Sequence, residues 1–82
     1  MAKLKIRTFK KSEINPETTI SIPLSMLRFA KKLIPKPAAA ALQERGVDID
    51  LIVDLARNED VCGDIVEIEE HNKNRRIIVS IE

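Results

Sequence analysis

Leu4, Ile6 and Thr8 alternate with Lys5 and Arg7, the period-two pattern of a strand with one wet face. A polar stretch from Lys10 to Pro16 interrupts the alternation and carries turn residues at Asn15-Pro16. Alternation resumes at Thr18, Ile20 and Ile22, and Thr18-Thr19 supports a second strand. These positions predict an N-terminal β-hairpin closed by a loop of roughly six to eight residues.

At Pro23 the period lengthens. Leu24, Leu27, Ala30/Lys31 and Ile34 form one helical row and Met26, Ala30 and Leu33 its neighbour, while Ser25, Arg28, Lys31 and Lys32 fall outside the stripe. Proline suits a first helical turn, and Pro35 and Pro37 stop the helix, so about a dozen residues over 23–34 are predicted as an amphipathic helix. Ala38 to Arg45 has the strongest helix propensity of the chain, and Gly46 stands where a left-handed C-cap belongs. Asp48 then caps another helix, with Val47 able to staple onto Ile52. Ile49, Ile52, Val53 and Ala56 share one face with Leu51 and Leu55 alongside, and Ile52 and Leu55 are expected to bury against the sheet. Asn58-Glu59-Asp60 ends the helix. After Gly63 the period returns to two: Ile65, Val66 and Ile68 mix with Glu67, Glu69 and Glu70, then His71-Asn72-Lys73-Asn74 turns into Arg76–Ile81. Glu67 and Glu69 are expected to face Arg75 and Arg76 across this second hairpin.

The prediction is therefore α+β: two β-hairpins in a mostly antiparallel sheet flanking two to three short helices, order ββααα-ββ, as a single small domain over 1–82. The helices lie on one face, and Leu4–Thr8 and Arg76–Ile81 are expected as the outer strands. With 82 residues, 44% hydrophobic and 33% charged, the chain reads as globular, not disordered. Twelve Ile and five Val against two Phe, and no Trp or Tyr, predict a core of branched aliphatics. The formal net charge of +1 hides an asymmetry. Met1 to Pro37 holds nine Lys/Arg against two acidic residues, and Ala38 to Glu82 holds five against eleven. A basic half followed by an acidic half points to association.

Candidate chemistry is thin. His71, the only imidazole, sits in a predicted turn with no nucleophile or orienting partner placed by sequence, so it reads as a solvated turn residue. Cys62 cannot form an internal disulfide, and its charged neighbours Glu59, Asp60 and Asp64 are acidic where a reactive thiolate needs cations; a buried structural thiol is expected. Asp48, Asp50, Asp54 and Asp60 suggest a calcium loop only superficially, because Asp48–Val53 lacks the fifth ligand and the sixth-position Gly and is too apolar. Gly at 46 and 63 alone leaves no glycine-rich phosphate loop. No catalytic residue, cofactor site or metal site is expected, and the protein is not expected to be an enzyme. The lone cysteine, and the lack of a signal-peptide apolar stretch at the N-terminus, lead to the expectation of a cytoplasmic protein.

The basic half admits an anionic-surface contact through the helix 23–34, with Arg28, Lys31, Lys32 and Lys36 as its cations. Nucleic acid is disfavoured, since stacking needs aromatics and only Phe9 is near an exposed position. Peripheral membrane contact ranks second to a structural role, in which Leu24, Leu27, Phe29, Leu33 and Ile34 cover the sheet.

The run Ile20-Ser21-Ile22-Pro23-Leu24-Ser25-Met26-Leu27-Arg28-Phe29, the later Gly46-Val47-Asp48-Ile49 and the terminal acidic strand–turn–strand resemble a group of small uncharacterised bacterial proteins similar to SHOCT-like domains. These include domains at the N-terminus of larger envelope-stress adhesin-like proteins. The resemblance implies a small regulatory or interaction module, oligomeric and free-standing in the cytoplasm, with no catalytic residues to carry over. Together with the charge split, the leading expectation is a non-enzymatic protein–protein interaction module that self-associates, most simply as a dimer. Ile77-Ile78-Val79 is apolar on both faces, so Ile78 is the expected contact outside the monomer, against the Ile65 side of a neighbour.

Overall fold

The computed structural model describes residues 3–10, 13–58, 60–71 and 74–82. Lys11 and Ser12 of the first predicted loop, Glu59 of the predicted helix end and Asn72-Lys73 of the second turn lie outside them. The chain runs β1 (Lys3–Lys10), β2 (Thr18–Pro23), a 3₁₀ segment (Leu24–Phe29), α1 (Ala30–Leu33), α2 (Lys36–Glu44), α3 (Ile49–Arg57), β3 (Gly63–Glu70) and β4 (Arg75–Ile81). This is the α+β order ββααα-ββ expected from the periodicity.

The four strands form one antiparallel sheet in the order β2-β1-β4-β3. The two hairpins dock through their terminal strands, so β1 and β4 are central and β2 and β3 are the edges. This corrects the expected outer strands. The physical reason lies in burial. Leu4, Ile6, Ile77, Val79 and Ile81 are all at most 1% exposed, and so apolar a set is best covered at the centre of the sheet. Leu4, Ile6, Ile20, Ile22, Val66, Ile68, Ile77 and Val79 share the helical face, where Leu27, Ala30, Ile34, Ala38, Ala41, Leu42, Ile52 and Ala56 pack on them.

Local signals account for the helices. The α2 C-terminus closes as a Schellman turn: Val47 N–H donates to Leu42 O (2.9 Å) and Gly46 N–H to Gln43 O (3.0 Å). Gly46 takes φ +72°, a left-handed value that favours glycine. Asp48 accepts from Asp50 N–H at 2.9 Å, the N-cap expected for α3. Ile52 and Ala56 bury, with Ile49, Val53 and Leu55 half-buried beside them. Leu55 is thus less covered than expected, because Ala56 takes the inward position one residue further round the helix.

The segment after Pro23 departs most from the prediction. Instead of one dozen-residue α-helix, it forms a six-residue 3₁₀ turn and a single α-turn. In a 3₁₀ segment residues three apart eclipse, so Leu24, Leu27 and Ala30 align, and Leu27, Ala30 and later Ile34 point inward. Leu24, Met26, Phe29 and Leu33 remain 37–43% exposed, so the expectation that Leu24, Phe29 and Leu33 cover the sheet is overturned.

Candidate interaction surfaces

The face of the sheet opposite the helices is polar and internally paired. Lys5, Arg7 and Phe9 of β1 stand there beside Arg76, Ile78, Ser80 and Glu82 at the β4 end. The Arg7 guanidinium donates to Ser80 Oγ (3.0 Å) and to Glu82 Oε2, and Lys5 Nζ lies 3.5 Å from Glu82 Oε1. Desolvation would raise the Glu82 carboxyl, but the hydrogen bond and charge of Arg7 outweigh it. Lys5 and Ser80 add to that effect and hold the carboxyl below the ordinary carboxylate pKa. Phe9 is buried beneath Arg76, whose guanidinium carbon lies 4.7 Å from the ring centroid, which corrects its expected exposure. Arg75 pairs with Glu70 at 2.8 Å, and Arg76 stands 4.0 Å from Glu67. Glu69 stands opposite Arg76 in register as expected, while the ion pairs themselves run from Glu70 to Arg75 and diagonally from Glu67 to Arg76.

The two edges differ. Lys3 and Glu82 exchange both backbone hydrogen bonds (2.6 and 2.9 Å). Such pairs alternate along an antiparallel ladder, so Leu4, Ile6 and Thr8 turn their backbone groups toward β2. Their partners Ile22, Ile20 and Thr18 face inward. The N–H and C=O groups of Thr19 and Ser21 are left on the outer edge. On β3 the same alternation sends Glu67 and Glu69 outward, and there Arg45 caps the Glu69 carbonyl at 2.9 Å. A register shift between Asp64 and Val66 further breaks the β3 edge. The stretch Thr18–Ile22 has neither charge nor proline nor bulge, and among the described residues no side chain caps Thr19 or Ser21.

The structure does not bring Ile65 and Ile78 together. Ile65 lies at the β3 irregularity and packs on the core, whereas Ile78 is half-buried on the open face of a central strand, between Arg7 and Glu67 in register. Of the candidate cations, Arg28 stacks on Phe29 (4.8 Å), Lys31 pairs with Asp50 of α3 (3.1 Å), and Lys32 and Lys36 are exposed. The β2 edge was not singled out in the sequence. Its signal was the uncharged Thr-Thr-Ile-Ser-Ile run itself.

Cys62 is exposed, not buried, because it precedes β3 beyond the end of α3. His71 is exposed with Nε2 3.9 Å from Glu69. Among the described residues no three His, Cys, Asp or Glu side chains converge as metal ligands, and no helix is long and apolar enough to cross a membrane. Open clefts lie beside Lys31, Gln43 and Val47, beside Arg45 and Val66, and beside Glu70 and Arg75.

One antiparallel sheet with helices on one face, two unlike edges and an exposed apolar ridge define a small α+β domain organised around its surfaces. Residues 2–81 match the family described as YvlB-like protein, C-terminal domain, and the chain belongs to that family. The match overturns the likeness to SHOCT-like domains, which rested on apolar structural positions that many helices and hairpins share. No curated protein and no solved structure matches the chain.

Proposed function

We propose that the domain is a non-catalytic interaction module that self-associates by pairing the β2 edges of two copies. The observation that carries this reading is the unguarded pair of outward residues, Thr19 and Ser21, set against a β3 edge that is bulged, acidic and capped by Arg45. Antiparallel pairing about a two-fold axis closes after two subunits. With Thr19 opposite Ser21 of the partner copy, the outward groups of both strands exchange hydrogen bonds. Ile20 then meets Ile20 of the partner copy on the helical side. Ile20 is half-buried against the core, so the second copy completes its cover. The edge role first given to Ile78 passes to β2, since β4 is an inner strand. A cytoplasmic location belongs to the same proposal.

Light scattering coupled to size exclusion tests it. At high micromolar concentration the wild type is expected at twice the 9.3 kDa chain mass. Ser21→Pro removes one outward N–H per copy while leaving the β1 ladder intact, and should give a monomer. Ile78→Lys should leave the dimer in place. A monomeric wild type refutes the proposal. A dimer broken by Ile78→Lys but not by Ser21→Pro refutes it equally, in favour of face-to-face packing.

A further inference from the structure

Between Glu17 and Glu44 the chain has no acidic residue, and within that span Leu24, Met26, Phe29 and Leu33 stay 37–43% exposed. Met26 and Phe29 are three apart on the 3₁₀ segment and Leu33 follows one α-turn later, so they share one outward row. Arg28, Lys31, Lys32 and Lys36 flank the row. Packing requirements do not explain this exposure, because the inward work of the segment is done by Leu27, Ala30 and Ile34. We propose that this ridge is a docking surface for an anionic lipid bilayer, with Met26, Phe29 and Leu33 entering the interface and Arg28, Lys32 and Lys36 meeting the headgroups.

Charge complementarity selects an anionic partner, and the shape of the ridge selects a fluid one. The row itself, Met26, Phe29 and Leu33, lines none of the three clefts described above and stands out from the surface as a convex strip. A bilayer surface, by contrast, conforms to a protruding row of Leu, Met and Phe while lysine stems reach back to the phosphates. Nucleic acid would gain nothing from the aliphatic side chains and would find one exposed ring, Phe29. Leu27, Ala30 and Ile34 anchor the segment in the core, so the row is presented on a packed element and not on a free peptide. These observations are independent of the β2 edge.

The test is co-sedimentation of the full chain with vesicles of phosphatidylcholine alone and of phosphatidylcholine with one-third phosphatidylglycerol, at low salt, with duplex DNA titrated separately. Partition onto the anionic vesicles only is expected, falling with added salt. Changing Arg28, Lys32 and Lys36 together to Gln should weaken partition about a hundredfold, at a surface contribution of about fivefold per cation. Phe29→Ser with Leu33→Ser should weaken it at least about tenfold through lost apolar insertion. Circular dichroism of each variant confirms the fold, and a variant that does not fold is replaced by Met26→Ser with Lys32→Gln. Three outcomes overturn the proposal: no partition onto anionic vesicles, full partition by the Phe29/Leu33 variant, or tighter binding to duplex DNA than to vesicles.

Discussion

Ile52→Ala tests how α3 is held to the rest of the domain. Ile52 is 1% exposed and is the largest fully buried side chain of α3, which packs on β1, the 3₁₀ segment and α1. Removing three buried carbons costs about 2.4 kcal/mol in transfer free energy alone. The cavity left in a close-packed interior adds to this, and alanine's better helix propensity returns about 0.4 kcal/mol. A net loss of about 2–4 kcal/mol follows. For 82 residues the whole folding free energy is on the order of 4–12 kcal/mol, so the variant forfeits a large share of it. In urea, with a slope of about 1 kcal/mol per molar, the midpoint should fall by about 2–4 M. The melts need one fixed protein concentration, since self-association stabilises by mass action. Leu51→Ala is the internal control: its neighbour in sequence is 58% exposed and should change stability by no more than about 0.5 kcal/mol. Half-buried Leu55 should fall between them, at about 1–2 kcal/mol. A loss below about 1 kcal/mol for Ile52→Ala, or a larger loss for Leu51→Ala, would refute the packing described for α3.

Two further predictions concern charge and capping. Because Arg7 and Lys5 hold the folded-state pKa of Glu82 below its unfolded value, the carboxylate contributes stability above the ordinary carboxylate range, and that contribution is lost as pH falls through the lowered pKa. Glu82→Gln should therefore flatten the acid limb of the stability–pH curve while changing nothing in its alkaline limb; an unchanged acid limb counts against the network. Asp48→Ala removes the α3 cap and should cost about 1 kcal/mol in urea melts, whereas Asp48→Asn, which keeps the accepting oxygen, should cost less than half of that.

The hairpins, the Gly46 turn and the Asp48 cap were legible because each is written in a few neighbouring residues. Strand order was not. Lys3 and Lys5 look like the charges that guard an edge, yet they stand on a central strand, where Glu82 from the far end of the chain lies 3.5 Å from the Lys5 ammonium. Likewise, the Ile77-Ile78-Val79 run looked like a strand wanting a partner. It has partners on both sides, β1 and β3, from 60 or more residues upstream in one case and from its own hairpin in the other. The segment after Pro23 misled for a different reason. Leu24, Leu27 and Ala30 fit a three-residue and a 3.6-residue period equally well over so short a run, so the sequence does not distinguish a 3₁₀ segment from an α-helix there. Hence the core was largely foreseeable, and the surfaces left over after its assembly were not.

Amide hydrogen exchange, read residue by residue at low and high protein concentration, tests the β2 pairing most directly. In the separate chain the Thr19 and Ser21 amides point to solvent, while Ile20 and Ile22 donate into the β1 ladder. Thr19 and Ser21 should exchange rapidly in dilute solution and become protected as concentration rises, with Glu67 and Glu69 on the β3 edge unchanged. Thr19 and Ser21 amides that exchange freely at every concentration, or protection that grows at Glu67 and Glu69 instead, would contradict association through β2.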